Sequence, residues 1–386
     1  MMKEKKENQV LKNVTRQIYC QRQLMPSEMK TYYRIERANG GLLCDLWFLS
    51  RGCVHDAEGG CTMCNYGKGN RIVQWNEIIG ELRHIIKKLP WEFEDFLLTP
   101  SGSMLDEREV PVVMRESMKE LLKRVRAKRF IVETRVDTID IAGLKFLQEI
   151  MPDSEKYIEI GYESGHDWIL RNCINKGVDT EEFGNAVKVI HEAGIKVTAN
   201  VGVGIPFLSE KASIREAIYS VKRAFEQGAD SVVLFPYHVK RGTLLEVMYQ
   251  HHWYQCISLW SLVAVLEEIS ENILEQVQIS WYKDYFGEER SQIFVSPTTC
   301  TVCERDVMDL LDQYRQEPSG RKLSVLRKYN CECREEWKKK MESQSEKIEY
   351  GQIEKKYCQL AKEFNVDDNI LEKELMIMRE TIRGRE

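Results

Sequence analysis

Between residues 42 and about 283, short apolar runs alternate six times with longer stretches of helical period. The apolar runs are Leu42–Leu49, Phe93–Thr99, Arg129–Thr134, Lys156–Tyr162, Ile195–Gly202 and Asp230–Phe235. Between and after them, Asn76–Leu89, Glu107–Ala127, Ile141–Ile150, Thr180–Ala193, Ser209–Gln227 and Tyr254–Leu274 carry helical spacing. Strands that alternate with helices of this length cannot pair as hairpins. They must cross over, which makes a parallel sheet covered by helices. Spacing alone leaves three architectures open: a partial barrel, a doubly wound open sheet, or a complete eight-stranded barrel. All three place ligands at the carboxyl ends of the strands.

The first strand runs into W-F-L-S-R-G-C-V-H-D-A-E-G-G-C-T-M-C-N-Y, from Trp47 to Tyr66. Cys53, Cys61 and Cys64 stand there as C-x7-C-x2-C, in a loop with several glycines and no fourth cysteine nearby. Structural zinc takes four protein ligands, so a zinc knuckle would need His55 or a distant cysteine to complete it. A 4Fe–4S cluster also usually takes four cysteines. With three, one iron stays open to a cofactor or substrate.

The loop resembles the cluster loop of the radical S-adenosylmethionine (SAM) superfamily. Most members space the cysteines C-x3-C-x2-C, and the longer first gap departs from that. It is similar to the Elp3/MiaB/NifB-like branch, and most closely to the archaeosine-forming radical SAM proteins. Their loop also reads R-G-C, then G-G-C-T-M-C, then a tyrosine. The resemblance runs from Tyr32 to the Cys331–Cys333 region. It implies an α/β fold, a partial (β/α)6 barrel with a cysteine-containing helical extension. It also implies a 4Fe–4S cluster on Cys53, Cys61 and Cys64, with SAM on the open iron. An electron from a reductase, flavodoxin or ferredoxin would then release a 5′-deoxyadenosyl radical. The implied substrate is a 7-deazaguanine nucleoside in tRNA.

The strand ends supply the expected SAM contacts. Met63 would lie near the adenine. Ser101, Gly102 and Ser103 occupy the place of the family's glycine-rich motif, which takes the SAM amino group. Glu133 and Arg135 close the third strand, where a guanidinium suits a carboxylate in bidentate fashion. A structural ion pair at the barrel mouth would use the same two residues. Glu163 ends the fourth strand in a G-x-E-S form similar to that branch, where it would face SAM or substrate. Asn200 ends the fifth and would reach ribose hydroxyls, ahead of V-G-V-G-I-P, a flat loop against which a nucleoside would lie. Tyr237 and Val239 would flank adenine, with Lys240 and Arg241 meeting phosphate or carboxylate.

A second group, Cys300, Cys303, Cys331 and Cys333, reads C-x2-C and then C-x-C around a helical segment Asp306–Gln316. Four thiolates suit structural zinc or an auxiliary iron–sulfur cluster. Twelve cysteines behind a charged, non-apolar N-terminus point to a reducing compartment, the cytoplasm. No apolar run is long enough to span a membrane. The net charge of −5 gives no general attraction to nucleic acid. Residues 1–37 nonetheless hold nine Lys and Arg against four Glu, an arm that either stays solvated or holds phosphates. The expected division is therefore a basic arm at 1–37, the barrel at 38–290 and a metal-binding helical extension at 291–386. Two other functions fit: radical chemistry on a free small molecule or peptide, and a non-catalytic, metal-stabilised RNA-binding or scaffold protein.

Overall fold

The computed structural model describes residues 6–22, 30–67, 73–284 and 292–383. Residues 1–5 and 23–29 of the basic arm, and the boundary expected at 290–291, lie outside the described residues. The strands are β1 (Thr31–Ala38), β2 (Gly41–Phe48), β3 (Glu92–Pro100), β4 (Arg126–Thr134), β5 (Glu155–Glu163), β6 (Lys196–Val203), β7 (Ser231–Pro236), β8 (Val239–Lys240), β9 (Val277–Ile279) and β10 (Ile293–Val295). Eight of them form one sheet in the order β1-β2-β3-β4-β5-β6-β7-β9, and β8 pairs with β10 apart from it. β2 to β7 and β9 run parallel, and β1 is antiparallel to β2. The sheet curls into a partial barrel whose edges, β1 and β9, do not pair with each other.

All six expected strands are present. The seventh parallel strand, β9, is three residues long, too short to show a period. β1 is joined to β2 by Asn39-Gly40, both with positive φ (52° and 80°). That is the two-residue turn an Asn-Gly pair favours, because its backbone twist matches the flanking strands. The helix expected at Glu107–Ala127 is shorter, Val112–Leu122, with Pro111 before its first turn. The one expected at Tyr254–Leu274 begins at Leu259, where the Ser258 hydroxyl accepts from Trp260 N, and breaks before Glu271–Leu274.

The strands alternate in character, as successive side chains must point to opposite faces. Leu46, Phe48, Phe96, Leu98, Phe130, Val132, Ile158, Ile160, Val197, Ala199, Val232 and Leu234 are buried in the main apolar core with the covering helices. Each such burial contributes about 1.5–3 kcal/mol for the large side chains. The residues between them are often polar: Asp45, Asp95, Arg129, Glu133, Glu159 and Asn200. The interior of the barrel is therefore a polar chamber.

The N-terminal segment is built into the fold. Helix Gln9–Gln21 buries Val10, Leu11, Val14 and Ile18 in a second apolar cluster with Met63, Trp168, Tyr357 and Leu360. Its charges are engaged within the chain. Lys6 meets Asp179 at 2.6 Å, Lys12 meets Glu7 at 2.6 Å, Arg22 meets Asp56 at 2.8 Å, and Arg34 meets Asp45 at 3.1 Å. A count of charges cannot reveal such pairing, and these four cations are not free for phosphates. Among the described residues, no helix is long and apolar enough to cross a membrane.

Candidate active site

The cysteine loop leaves β2 at its carboxyl end. Cys53 opens a one-turn helix, Val54–Ala57. Its N–H donates to Tyr66 O at 3.1 Å, and Cys64 N donates to Cys61 O at 3.3 Å. All three thiols are half-buried. Burial pushes Cys53 up to about 12 and raises Cys61 and Cys64 as well. Cys64 adds to the shift at Cys53, and both partners add to that at Cys61, so the three sit within one another's field. Thiols so reluctant to ionise become thiolates by coordination to a metal. They do not form a single-ion group, since the one set of metal-capable sulfurs within 4.8 Å of each other among the described residues lies elsewhere. Three thiol donors on one loop are the donor set that a cluster with one open iron would take.

His55 is not a fourth ligand. Its Nε2 lies 3.0 Å from Asn175 O, and burial lowers its pKa to about 4. Asn175 is the clamp of the loop. It caps the π-helical turn Leu170–Ile174 in a left-handed conformation, φ 58°. Its Nδ2 donates to Gly59 O at 2.9 Å and to Gly60 O at 3.3 Å, and its Oδ1 accepts from Asn8 N at 2.8 Å. Thr62 N and Oγ1 hold Ile174 O and Cys173 O, each at 2.9 Å. Arg22 ties Asp56 and Gly67 O of the loop to Gly242 O beyond β8.

Glu109 is a hub that sequence reading placed inside a helix. Pro111 delays that helix, so Glu109 stays in the preceding turn. Fully buried, it accepts from Val54 N at 2.9 Å and Ser103 N at 2.5 Å, and pairs with Arg135. Arg135 also meets Asp106 at 2.8 Å and Asp137 at 3.1 Å, and its Nη1 lies 3.5 Å from Cys53 Sγ. Arg135 thus stands in an ion-pair network that joins β4 to the cysteine loop. The Ser101 hydroxyl accepts from Ser50 N at 2.9 Å, while that of Ser103 bonds Thr134 and Thr138. Both hydroxyls are spent inside the protein. Gly102 has φ 155°, and a Cβ there would sit 2.2 Å from Glu109 Oε2, so only glycine fits.

Inside the chamber, Glu133 and Glu159 are register partners on β4 and β5. Thr99 Oγ1 donates to Glu133 at 2.5 Å. Burial, and for Glu159 the charge of Glu133 next, raise both carboxyls well above the ordinary range. Asn200 hydrogen-bonds Glu159 and leaves its Oδ1 buried with no partner. A bulge at the end of β5 turns Glu163 into a left-handed conformation, φ 63°. Its carboxylate there accepts from Lys176 at 3.0 Å and Tyr237 OH at 2.6 Å. Gly202 permits this, because a Cβ would meet the Tyr237 hydroxyl at 2.2 Å. Burial alone would lower the pKa of Lys176, but Glu163 and Cys61 raise it further, so it stays charged beside the cysteines.

The other expected contacts divide. Met63 and Val239 are buried in the second apolar cluster. Lys240 stacks over the Tyr66 ring at 4.7 Å, and Arg241 over Phe294 at 4.9 Å. Sequence reading missed Glu109, Asn175, Glu159 and Arg22. Asn175 carried a signal in N-K-G, a left-handed cap between apolar stretches.

Away from the chamber, Cys300, Cys303, Cys331 and Cys333 bring all four sulfurs within 4.8 Å of one another. Cys300 Sγ lies 3.6 Å from those of Cys303 and Cys331, and Cys303 Sγ 3.4 Å from that of Cys333. This group can hold a metal ion.

A curled parallel sheet that brings Cys53, Cys61 and Cys64 on one loop to the carboxyl end of β2 is the arrangement that the resemblance to radical SAM enzymes implies. No family model matches the chain. In sequence it is 28% identical over 300 residues to archaeosine synthase subunit beta of Methanosarcina acetivorans, covering 76% of this chain and 84% of that one. It is 26% identical over 290 residues to archaeosine synthase subunit beta of Thermococcus kodakarensis, covering 72% and 84%. Among solved structures, methylornithine synthase superposes with a TM-score of 0.47 at 15% identity, covering 80% of this chain and 76% of that one.

Proposed function

We propose that Cys53, Cys61 and Cys64 hold a 4Fe–4S cluster with one open iron, that SAM binds there, and that the reaction serves the synthesis of an archaeosine-type 7-deazaguanine nucleoside in tRNA. The observation that carries this reading is the trio of half-buried thiols brought together on the loop that leaves β2, beside the polar inner face of the sheet. A cluster held by Cys53, Cys61 and Cys64 with SAM beside it would supply one-electron cleavage of the sulfonium and hydrogen abstraction from a substrate. The chain's part is position and exclusion of water. Lys176 and Arg135 set positive charge beside the cysteines. The backbone around Gly102, freed of side-chain competition, is open to an amino group. Asn200 Oδ1 needs a donor, which a ribose hydroxyl provides. The electron comes from a reductase, flavodoxin or ferredoxin. The name of the relatives, a subunit, supports a second chain that presents the tRNA. The internal pairing of Lys6, Lys12, Arg22 and Arg34 fits such a division of labour.

The test is anaerobic reconstitution followed by dithionite and SAM. The expected product is 5′-deoxyadenosine, absent in Cys61→Ala. An intact cluster that yields none sinks the enzyme reading. Nucleosides from tRNA of cells lacking the chain should lose the archaeosine-type base. If 5′-deoxyadenosine forms but those nucleosides are unchanged, the substrate is instead a small molecule or peptide.

For the tetrad we propose a single zinc-type ion. Four sulfurs about 2.3 Å from one ion in a tetrahedron lie roughly 3.8 Å apart. Separations of 3.4 to 3.6 Å lie near that value, which favours one ion over the wider spacing of a cluster's corners. Metal analysis of the aerobically purified protein should give zinc at about one per chain.

A further inference from the structure

The curled sheet leaves a seam between β1 and β9, and one helix fills it. Helix Glu304–Gln316 has Cys303 at its N-cap. Its far end reaches both edges at once. Arg315 donates to Glu36 on β1 at 2.7 Å and to the Ile279 carbonyl on β9. Asn39 N and Gly40 N, in the β1–β2 turn, donate to Arg315 O at 3.3 Å and Gln316 O at 2.8 Å. Tyr314 OH donates to Val277 O at 2.9 Å, and Tyr282 OH to Asp312 at 2.5 Å. Arg315 and Tyr314 are both buried, so these bonds lie inside the wall. Unpaired strand edges are a liability until something covers them, and here helix Glu304–Gln316, 13 residues long, bonds to both edges, beside a Gln278–Asn39 side-chain bond.

The near end of that helix is held by the tetrad. Cys331 and Cys333 belong to the start of another helix, Glu332–Ser343. Cys333 Sγ accepts from Trp260 Nε1 at 3.3 Å, and Arg334 stacks over the Trp260 ring and meets Glu267 at 3.0 Å. Trp260 and Glu267 lie on Leu259–Glu268, a helix of the barrel between β8 and β9. One ion at the tetrad would therefore fasten the seam helix to the barrel.

We infer that the tetrathiolate ion is the clasp of the barrel: through Cys303 it anchors helix Glu304–Gln316 across the seam and keeps water out of the chamber from that side. This rests on the single-ion reading of the tetrad and is independent of the reaction at the other cysteines.

Hydrogen exchange on the full-length, cluster-loaded protein tests it, with zinc and iron counted on the same samples. In Cys331→Ser/Cys333→Ser the zinc should be lost and the Asn39 and Gly40 amides should exchange about tenfold faster, while those of β4 and β5 keep their protection. Arg315→Met should keep the zinc and show the same local rise, which holds the test open if the cysteine variant does not fold. Zinc loss with unchanged exchange at Asn39 and Gly40 overturns the clasp and leaves the single-ion reading intact. A rise spread evenly over all strands also overturns it, since the ion would then be a general stabiliser. A tetrad that carries iron and sulfide, or no metal, overturns the single-ion reading and the clasp with it.

Discussion

Glu133 and Glu159 stand side by side on β4 and β5, facing the chamber. Burial raises Glu133 to about 7 and, with the charge of Glu133, raises Glu159 to about 8. In the unfolded chain both titrate near the ordinary carboxylate value, about 4.3. The folded state thus binds the protons more tightly. Their contribution is fully present below the unfolded value and is lost as pH rises through 7 and 8. Glu159→Gln removes one charge and its repulsion. The variant should match the wild type in stability near pH 4 and exceed it by about 1–3 kcal/mol near pH 8. Urea denaturation at several pH values measures this. A difference that does not grow with pH shows that the pair does not titrate in the folded protein. No sequence pattern announces the pair, since each glutamate looks like any polar residue of an alternating strand. Glu109 was hidden for a similar reason, as helical spacing absorbed it until Pro111 moved the helix start.

At the scale of elements, the N-terminal helix acts as a brace for the cysteine loop. Asn8 accepts from Leu11 N at 3.1 Å as the helix cap, donates to Asn172 at 3.0 Å, and through its N–H holds Asn175. Asn175 in turn holds Gly59 and Gly60. Asn8→Ala removes the cap and should destabilise the helix by about 1–2 kcal/mol. Limited proteolysis should then cut near Gln9–Gln21 faster, and the loop should lose its iron more readily under a chelator. Unchanged cleavage and iron retention would dismiss the brace. Of these elements, the six strands and their helices were legible because apolar runs and helical spacing repeat at the right lengths. The Asn39-Gly40 turn and β1 before it are not among the sequence expectations, because β1 falls within the charged residues 1–37. Helix Gln9–Gln21 was masked by its charges, although Val10, Leu11, Val14 and Ile18 share one face.

For the whole molecule, the second apolar cluster joins segments far apart in sequence, from Val10 through Met63, Trp168 and Tyr237 to Tyr357 and Met378. Tyr357 OH donates to Asn172 O at 2.6 Å, and Arg171 meets Glu374 at 2.6 Å. The C-terminal helices therefore share a core with the N-terminal helix and the cysteine loop. Calorimetry should show one cooperative unfolding transition. Two separate transitions would make residues 291–386 an independent domain, as the sequence division had it.

What the sequence determined alone is what depends on local pattern: the parallel α/β class from the strand–helix alternation, the three-cysteine loop, and the pairing of C-x2-C with C-x-C as one group of four thiols. Spacing along the chain suffices for these, because helix period, strand period and ligand spacing are properties of neighbours. What only the tertiary structure decided is how distant groups meet. The pairing of Arg135 with Glu109, the hold of Asn175 on Gly59 and Gly60, the spent N-terminal cations and the helix across the seam all join residues distant in the chain. Such contacts are fixed by packing and by the need to pair buried charge and backbone, and no local pattern encodes them.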